Sequence, residues 1–389
     1  MYAIAGALLL ALLGLVPLRD VATAVGRGTD VYLFLAGMML LAELARREGV
    51  FDWVAAHAVV AARGSRRRLF ALIYSVGIAV TIVLSNDATA VVLTPAVAAA
   101  VRKADAPPLP HVLACAFIAN AASFVLPISN PANLVVFADQ MPPLLRWLAT
   151  FSLPSLVAIG MTFALLALVS RRDLRGGLAA PEAPPELTAG GRMTLAGIAV
   201  TAAALVVASA ARWHLGLTTS IAGALAFLIV VARDRAAAAD VVRGVSWSVL
   251  LLVAGLFVLV AGLEVTGLLG FTRRGLAALA AWPVPLGVLG AGGVAGLVSN
   301  AINNLPAGLI AGASTGGLPG HEALRGAIAI GIDLGPNLSV TGSLATVLWL
   351  IALRREAIEV SPWSFFRVGV LVMPPALILA LESLSLTSR

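Results

Sequence analysis

The stretch 330-IGIDLGPNLSVTGSLATVLWL-350 is apolar at both ends and polar in the middle. It is long enough to cross about 30 Å of hydrocarbon, for which roughly 20 residues suffice. Its centre nevertheless holds Asp333, Gly335-Pro336, Asn337, Thr341 and Ser343. Proline removes a backbone donor and clashes with the preceding turn, so a helix entering this stretch breaks inside the membrane. Backbone freed by such a break cannot face lipid and must be buried in protein or line a cavity. Three more stretches share this character: 84-LSNDATAVVLTP-95, 118-IANAASFVLPISNPANLVV-136 and 299-SNAINNLPAG-308.

Around these breaks the chain is strongly apolar. Of 389 residues, 60% are hydrophobic and 12% charged, with mean hydropathy +1.00, against about a quarter charged in an ordinary soluble domain. Four spans are expected in the first half, near 2–18, 29–45, 110–137 and 147–170. Five are expected in the second, near 193–211, 216–232, 246–264, 322–350 and 364–384. The first run has no basic region before it and no small-residue cleavage pattern after it, only a polar turn with Arg19 and Asp20. It therefore reads as a span and not as a signal peptide. Segments 69–101 and 284–314 are interrupted by polar residues and read as re-entrant hairpins. Mixed stretches 51–63 and 271–281 suit interfacial helices.

The halves repeat. Leu35-Ala36-Gly37 with Gly49-Val50 matches Val253-Ala254-Gly255 with Gly267-Leu268 at a shift of 218. Ser85-Asn86-Asp87 pairs with Ile302-Asn303-Asn304 at 217, Ser129-Asn130-Pro131 with Thr341-Gly342-Ser343 at 212, and Leu153-Pro154 with Met373-Pro374 at 220. The division expected is a first repeat over 1–170, a Pro-, Gly- and charge-rich linker over 171–192, and a second repeat over 193–389 with one extra leading span. With the N-terminus inside, the inner loops carry 17 Lys and Arg and the outer loops 8, the bias expected of cytoplasmic loops. This topology places the repeats in opposite orientation, as in inverted-repeat transporters. The net charge of +7 thus reports membrane topology, with no nucleic acid implied. The fold class expected is an all-α polytopic membrane protein of two inverted repeats, each with a re-entrant hairpin and a broken transmembrane helix.

Ionisable and amide side chains inside a membrane are costly and mark function. The repeat sets Asp87 opposite Asn304, and Asp333 opposite Asn120 to within one residue. Two carboxylates, each beside an amide, could carry protons; the alternative is that they cap broken helix ends. Asn86, Asn120, Asn303 and Asn304 are candidates for the solute, with Ser129, Asn130, Asn133, Thr341 and Ser343 as further hydrogen-bonding groups. Glu43 and Glu264 sit at span ends and read as interfacial. His57, His111, His214 and His321 fall in loops or at span ends, where a metal site or proton relay is not expected. A single cysteine, Cys115, precludes a three-thiolate site in one chain. No GxxxxGK[ST] loop is present, so the chain does not hydrolyse ATP itself. An ion gradient or a partner must drive transport, and no cofactor is expected.

Several segments resemble the arsenite and antimonite efflux permeases of the ion transporter superfamily. They are 49-GVFDWVAAH-57, 85-SNDATAVVLTPAV-97, the stretch from Phe117 to Asp139, 242-VRGVSW-247, 299-SNAINNLPAGLIAGA-313 and 331-GIDLGPNLSVTGSLATVLWL-350. The resemblance implies efflux of trivalent arsenic and antimony as neutral hydroxides in exchange for protons. It also implies a soluble ATPase subunit in some cases, and an elevator-like motion of the broken segments. Two positions depart from it. Asn120 stands where some members have an acid, and Asn337 where some have a lysine. The alternatives are a sodium/proton antiporter, an anion or carboxylate symporter of the same superfamily, and, from a different class, a non-transporting scaffold or sensor. Against an anion stands the lack of Lys or Arg in the broken segments.

Overall fold

The computed structural model describes residues 2–180, 183–234, 236–315 and 322–387. It consists of nineteen α-helices with short 3₁₀ and π turns among the described residues. In the first half these are α1 (Tyr2–Leu12), α2 (Leu18–Arg27), α3 (Thr29–Arg47), α4 (Val50–Ala61), α5 (Arg66–Val83), α6 (Thr94–Lys103), α7 (Pro108–Ala121), α8 (Pro131–Phe137) and α9 (Leu144–Val169). In the second they are α10 (Ala189–Ala211), α11 (Leu215–Val231), α12 (Ala236–Gly244), α13 (Ser248–Val265), α14 (Leu268–Ala280), α15 (Val284–Ile302), α16 (Asn304–Thr315), α17 (Glu322–Leu334), α18 (Leu344–Arg355) and α19 (Pro362–Thr387).

Five stretches are long and apolar enough to cross a membrane: Leu144–Val169, Ala189–Ala211, Ala238–Val265, Val284–Ile302 and Pro362–Thr387. Their outer faces expose Leu145, Leu156, Val200, Leu251, Leu297 and Leu371, a pattern that suits lipid and would be costly in water. Of the shorter apolar helices, Pro108–Ala121 is half of an interrupted element, Leu215–Val231 is an uninterrupted helix of 17 residues, and Val50–Ala61 falls in the stretch read as interfacial. Helices α5 and α6 form the arms of one hairpin and α15 and α16 those of the other; α7 with α8, and α17 with α18, are the broken helices. Exchanging the halves maps the packing of α3 on α11 onto that of α13 on α1, and α5 on α7 onto α15 on α17. This is an all-α membrane fold of two inverted repeats.

Close backbone approach sets the tightest pairs. A Cβ at Gly37 of α3 would run into the Thr219 carbonyl of α11, and one at Gly331 of α17 into the Gly292 carbonyl of α15. Two buried tryptophans hold α7 and the turn after it: Trp147 Nε1 donates to the Phe124 carbonyl at 3.1 Å and Trp349 Nε1 to the Val112 carbonyl at 3.0 Å.

The chain departs from the sequence reading at its start and in one loop. The first helix ends at Leu12, and Arg19 and Asp20 belong to α2, which bends 48° into α3. The apolar Leu13 to Leu18 run ends the helix because Gly14 takes a positive φ of 67° and Pro17 follows. The loop expected between the spans 216–232 and 246–264 contains α12. The linker carries no helix from 176 to 188 among its described residues, yet it is held. Arg66 donates to the carbonyls of Gly177 (3.0 Å), Arg175 (3.3 Å) and Asp105 (2.9 Å), and Ser65 and Gly177 form an antiparallel bridge.

Candidate functional site

Each broken helix is interrupted in the same manner. An extended residue, Leu126 or Ser339, leads into a short 3₁₀ turn, and a second extended residue, Asn130 or Ser343, leads out of it. That residue caps the next helix with its side chain: Asn130 Oδ1 accepts from Ala132 N at 3.0 Å, and Ser343 Oγ from Ala345 N at 3.1 Å. These bonds satisfy N–H groups that a helix start leaves free. The shared geometry pairs Asn130 with Ser343 at a shift of 213, one residue from the sequence alignment. The same shift relates Asn120 to Asp333.

The breaks meet at a buried polar crossing. Asn130 Nδ2 donates to Asp333 Oδ1 at 2.7 Å, joining α8 to α17. Asn120 Nδ2 donates to Asn337 Oδ1 at 3.0 Å, and Asn337 Nδ2 to the Phe117 carbonyl at 3.0 Å. Asn133 Nδ2 donates to the Ser123 carbonyl at 2.9 Å. Asn120, Asn133, Asp333 and Asn337 are wholly buried. Asn120 and Asp333 therefore occupy related positions but bond to different partners. Asn337, which is not among the candidates legible in the sequence, is the residue that Asn120 touches.

The hairpin tips differ in exposure. At the first, Asn86 Oδ1 accepts from Asp87 N at 2.9 Å, and Ser129 Oγ reaches the Ile82 carbonyl at 3.4 Å. At the second, Asn303 has φ 78°, and its Nδ2 donates to the exposed Thr341 carbonyl at 3.2 Å. Asn300 and Ser339, also absent from the candidates, complete that tip: Ser339 Oγ donates to Asn300 Oδ1 at 2.7 Å, and Asn300 Nδ2 to the Gly335 carbonyl at 2.9 Å. Asn304 is buried at the start of α16.

Two cavities flank α3. The larger, about 550 Å³, lies at its N-terminal end against α8, α13 and α16, and its wall includes Arg27, Asp30, Arg212, His214 and Glu264. Arg27 pairs with Glu264 at 3.6 Å, and His214 lies 3.8 Å from Asp30. The smaller, about 80 Å³, lies at its C-terminal end, between α3, the first hairpin, Pro131 of α8 and the turn joining α12 to α13. Asp87, Ser85, Glu43 and Ser246 line it, with no Lys, Arg or His in its wall. Asp333 reaches neither cavity. Glu43 is buried and not interfacial, because the end of α12 packs over it. His111 is likewise buried, its Nδ1 3.1 Å from the Pro107 carbonyl. His321 lies outside the described residues.

The comparisons with known proteins agree with this architecture. The citrate transporter family matches residues 1–332. The arsenical pump membrane protein of Escherichia coli K12 is 31% identical over 363 residues, covering 90% of this chain and 84% of that one. The chain belongs to the arsenical pump membrane protein family. A second member of the family, also from Escherichia coli, is 30% identical over 395 residues, covering 98% of this chain and 92% of its own. Outside the family, the crystal structure of the Alcanivorax borkumensis YdaH transporter, described as having an unusual topology, superposes with a TM-score of 0.58 at 16% identity. That match covers 94% of this chain and 86% of YdaH and shows the shared fold. The protein is a multi-pass membrane transporter and not an enzyme.

Proposed function

We propose that the chain exports trivalent arsenite and antimonite, as neutral trihydroxides, across the inner membrane in exchange for protons. The smaller cavity carries this reading. It has two carboxylates and two hydroxyls on its wall and no cation. A neutral trihydroxide brings three O–H donors, which such a wall can accept. A citrate-like anion would meet two carboxylates, of which only Glu43 is paired with a cation, Arg46, outside the wall, and Asp87 has none. The volume of about 80 Å³ holds a few waters at about 10–15 Å³ each, or one small inorganic hydroxide.

Asp87 lines this cavity and is the residue we assign to proton exchange. Asp333, sealed at the crossing, would take part only when the broken helices move. Asn86 lies beside Asp87, and together they could hold a sodium ion, which keeps sodium/proton exchange as the alternative. The N-terminus is assigned to the cytoplasm from the charge bias of the loops. The repeats are assigned to 1–170 and 193–389, and a soluble ATPase subunit could dock on the cytoplasmic side. Arsenite accumulation in cells lacking their own exporter tests the function. Expression is expected to lower accumulation; unchanged accumulation despite verified membrane expression, with sodium-dependent proton exchange in vesicles, would reverse the assignment.

A further inference from the structure

We infer that Glu43 of α3 is a second acceptor for the transported solute, facing Asp87 across the smaller cavity; this rests on the solute being a neutral trihydroxide. One face of α3, through Phe34, Leu35, Met38, Met39, Ala42 and Glu43, forms a wall of that cavity, as the i, i+4, i+8 spacing of a helix requires. Glu43 is the one ionisable group on that face. Its side chain is held in place: Arg46 Nε donates to Oε2 at 2.8 Å and Nη2 to Oε1 at 2.5 Å. A carboxylate has about four acceptor sites, so the bidentate contact leaves capacity for a solute. The turn after α12 accommodates the carboxylate only because residue 244 is glycine; a Cβ there would overlap Oε1.

The facing wall supplies the other partners. The Asp87 carboxylate makes no hydrogen bond or ion pair among the described residues, and Ser85 and Ser246 add hydroxyls. The other charged groups near Glu43 are engaged elsewhere or lie outside the wall. Arg47 pairs with Glu48, Asp234 and Asp240, and Asp52 of α4 lies outside the wall of the cavity. Met38 and Met39 bring thioethers to the same wall, soft groups suited to a soft heavy centre. The solute is then bridged between α3 and the first hairpin, so its binding depends on how closely these two elements approach.

Antimonite uptake into everted vesicles tests this, with KM and maximal rate measured for the wild type, Glu43→Gln and Glu43→Asp at matched amounts of folded protein. Loss of a charge-assisted hydrogen bond in Glu43→Gln is expected to raise KM roughly tenfold, while a purely structural role would lower the maximal rate and leave KM in place. Glu43→Asp, which keeps the charge on a side chain one methylene shorter, is expected to recover part of the affinity. A wild-type KM in Glu43→Gln overturns the inference and leaves the arsenite assignment standing. Absence of antimonite transport by the wild type overturns both. Should Glu43→Gln fail to accumulate, Glu43→Asp decides: a raised KM supports the inference and a wild-type KM overturns it.

Discussion

Asn120 of α7 and Asn337 of the second break form a hydrogen bond of 3.0 Å in a fully buried setting. The resemblance to the efflux permeases implies an acid at the first of these positions and a lysine at the second in some members. A lone charge on either side would be buried without a partner, whereas two amides share a hydrogen bond without net charge. Asn120→Asp and Asn337→Lys are therefore expected to destabilise singly by about 3–5 kcal/mol, the cost of an unpaired buried charge. The double variant should recover a large part of that loss. Thermal stability of the purified protein in a double-mutant cycle reads the coupling, and additive losses would show that the two side chains do not act as a pair.

The two carboxylates should separate functionally. Asp87 lines a cavity, and Asp333 is sealed behind Asn130. Asp87→Asn is expected to leave a folded protein whose antimonite transport no longer responds to an imposed pH gradient. In Asp333→Asn the first loss should be folded protein, since the bond to Asn130 joins two broken helices. Transport in both variants with the wild-type pH response would rule out proton carriage by either.

Glycine packing gives an internal comparison within one helix pair. Gly331→Ala drives a methyl group into the Gly292 carbonyl, while Gly293, one residue along α15, has nothing within 4 Å of a Cβ. Gly331→Ala is expected to cost about 1–3 kcal/mol by overpacking. Gly293→Ala should be neutral or stabilising by up to about 1 kcal/mol, the helix preference of alanine over glycine. Melting temperatures of the detergent-solubilised variants distinguish the two.

Arg66 holds three carbonyls, two of them in the linker. In Arg66→Ala the linker over 176–188 should be cleaved several-fold faster by an added protease, because exposed and loosely held segments are cut first. Cleavage in everted but not in right-side-out vesicles would also place the linker in the cytoplasm. The reverse pattern would invert the proposed topology.

Much of this was legible in the chain because it depends on local chemistry. The observed breaks lie at Pro127, Pro131 and Pro336, which stand among asparagine, serine and glycine, whereas Pro154, Pro374 and Pro375 are carried inside α9 and α19. The α2 helix and α12 were missed because Arg19, Asp20 and Arg243 look like loop residues in an apolar chain. In the structure Arg19 and Arg243 lie on exposed helix turns. The alignment differs by one residue at the second break because the hydroxyls of Ser129 and Thr341 resemble each other chemically, whereas the caps pair Asn130 with Ser343. Glu43 looks interfacial in the sequence because it lies one turn from the end of α3, and only the packing of Gly244 over it reveals its burial.

The sequence alone determined that this is a membrane transporter of two related halves, with helices broken at asparagine, proline and glycine. Apolar length and backbone breaks are properties of contiguous residues. Tertiary structure decided which polar residues lock the crossing and which face a cavity. Asn120, Asn130, Asp333 and Asp87 are alike in hydropathy, but three are consumed by one another or by Asn337, while Asp87 is left open beside Glu43. That distinction depends on helices more than two hundred residues apart crossing at a particular angle, which no local pattern encodes.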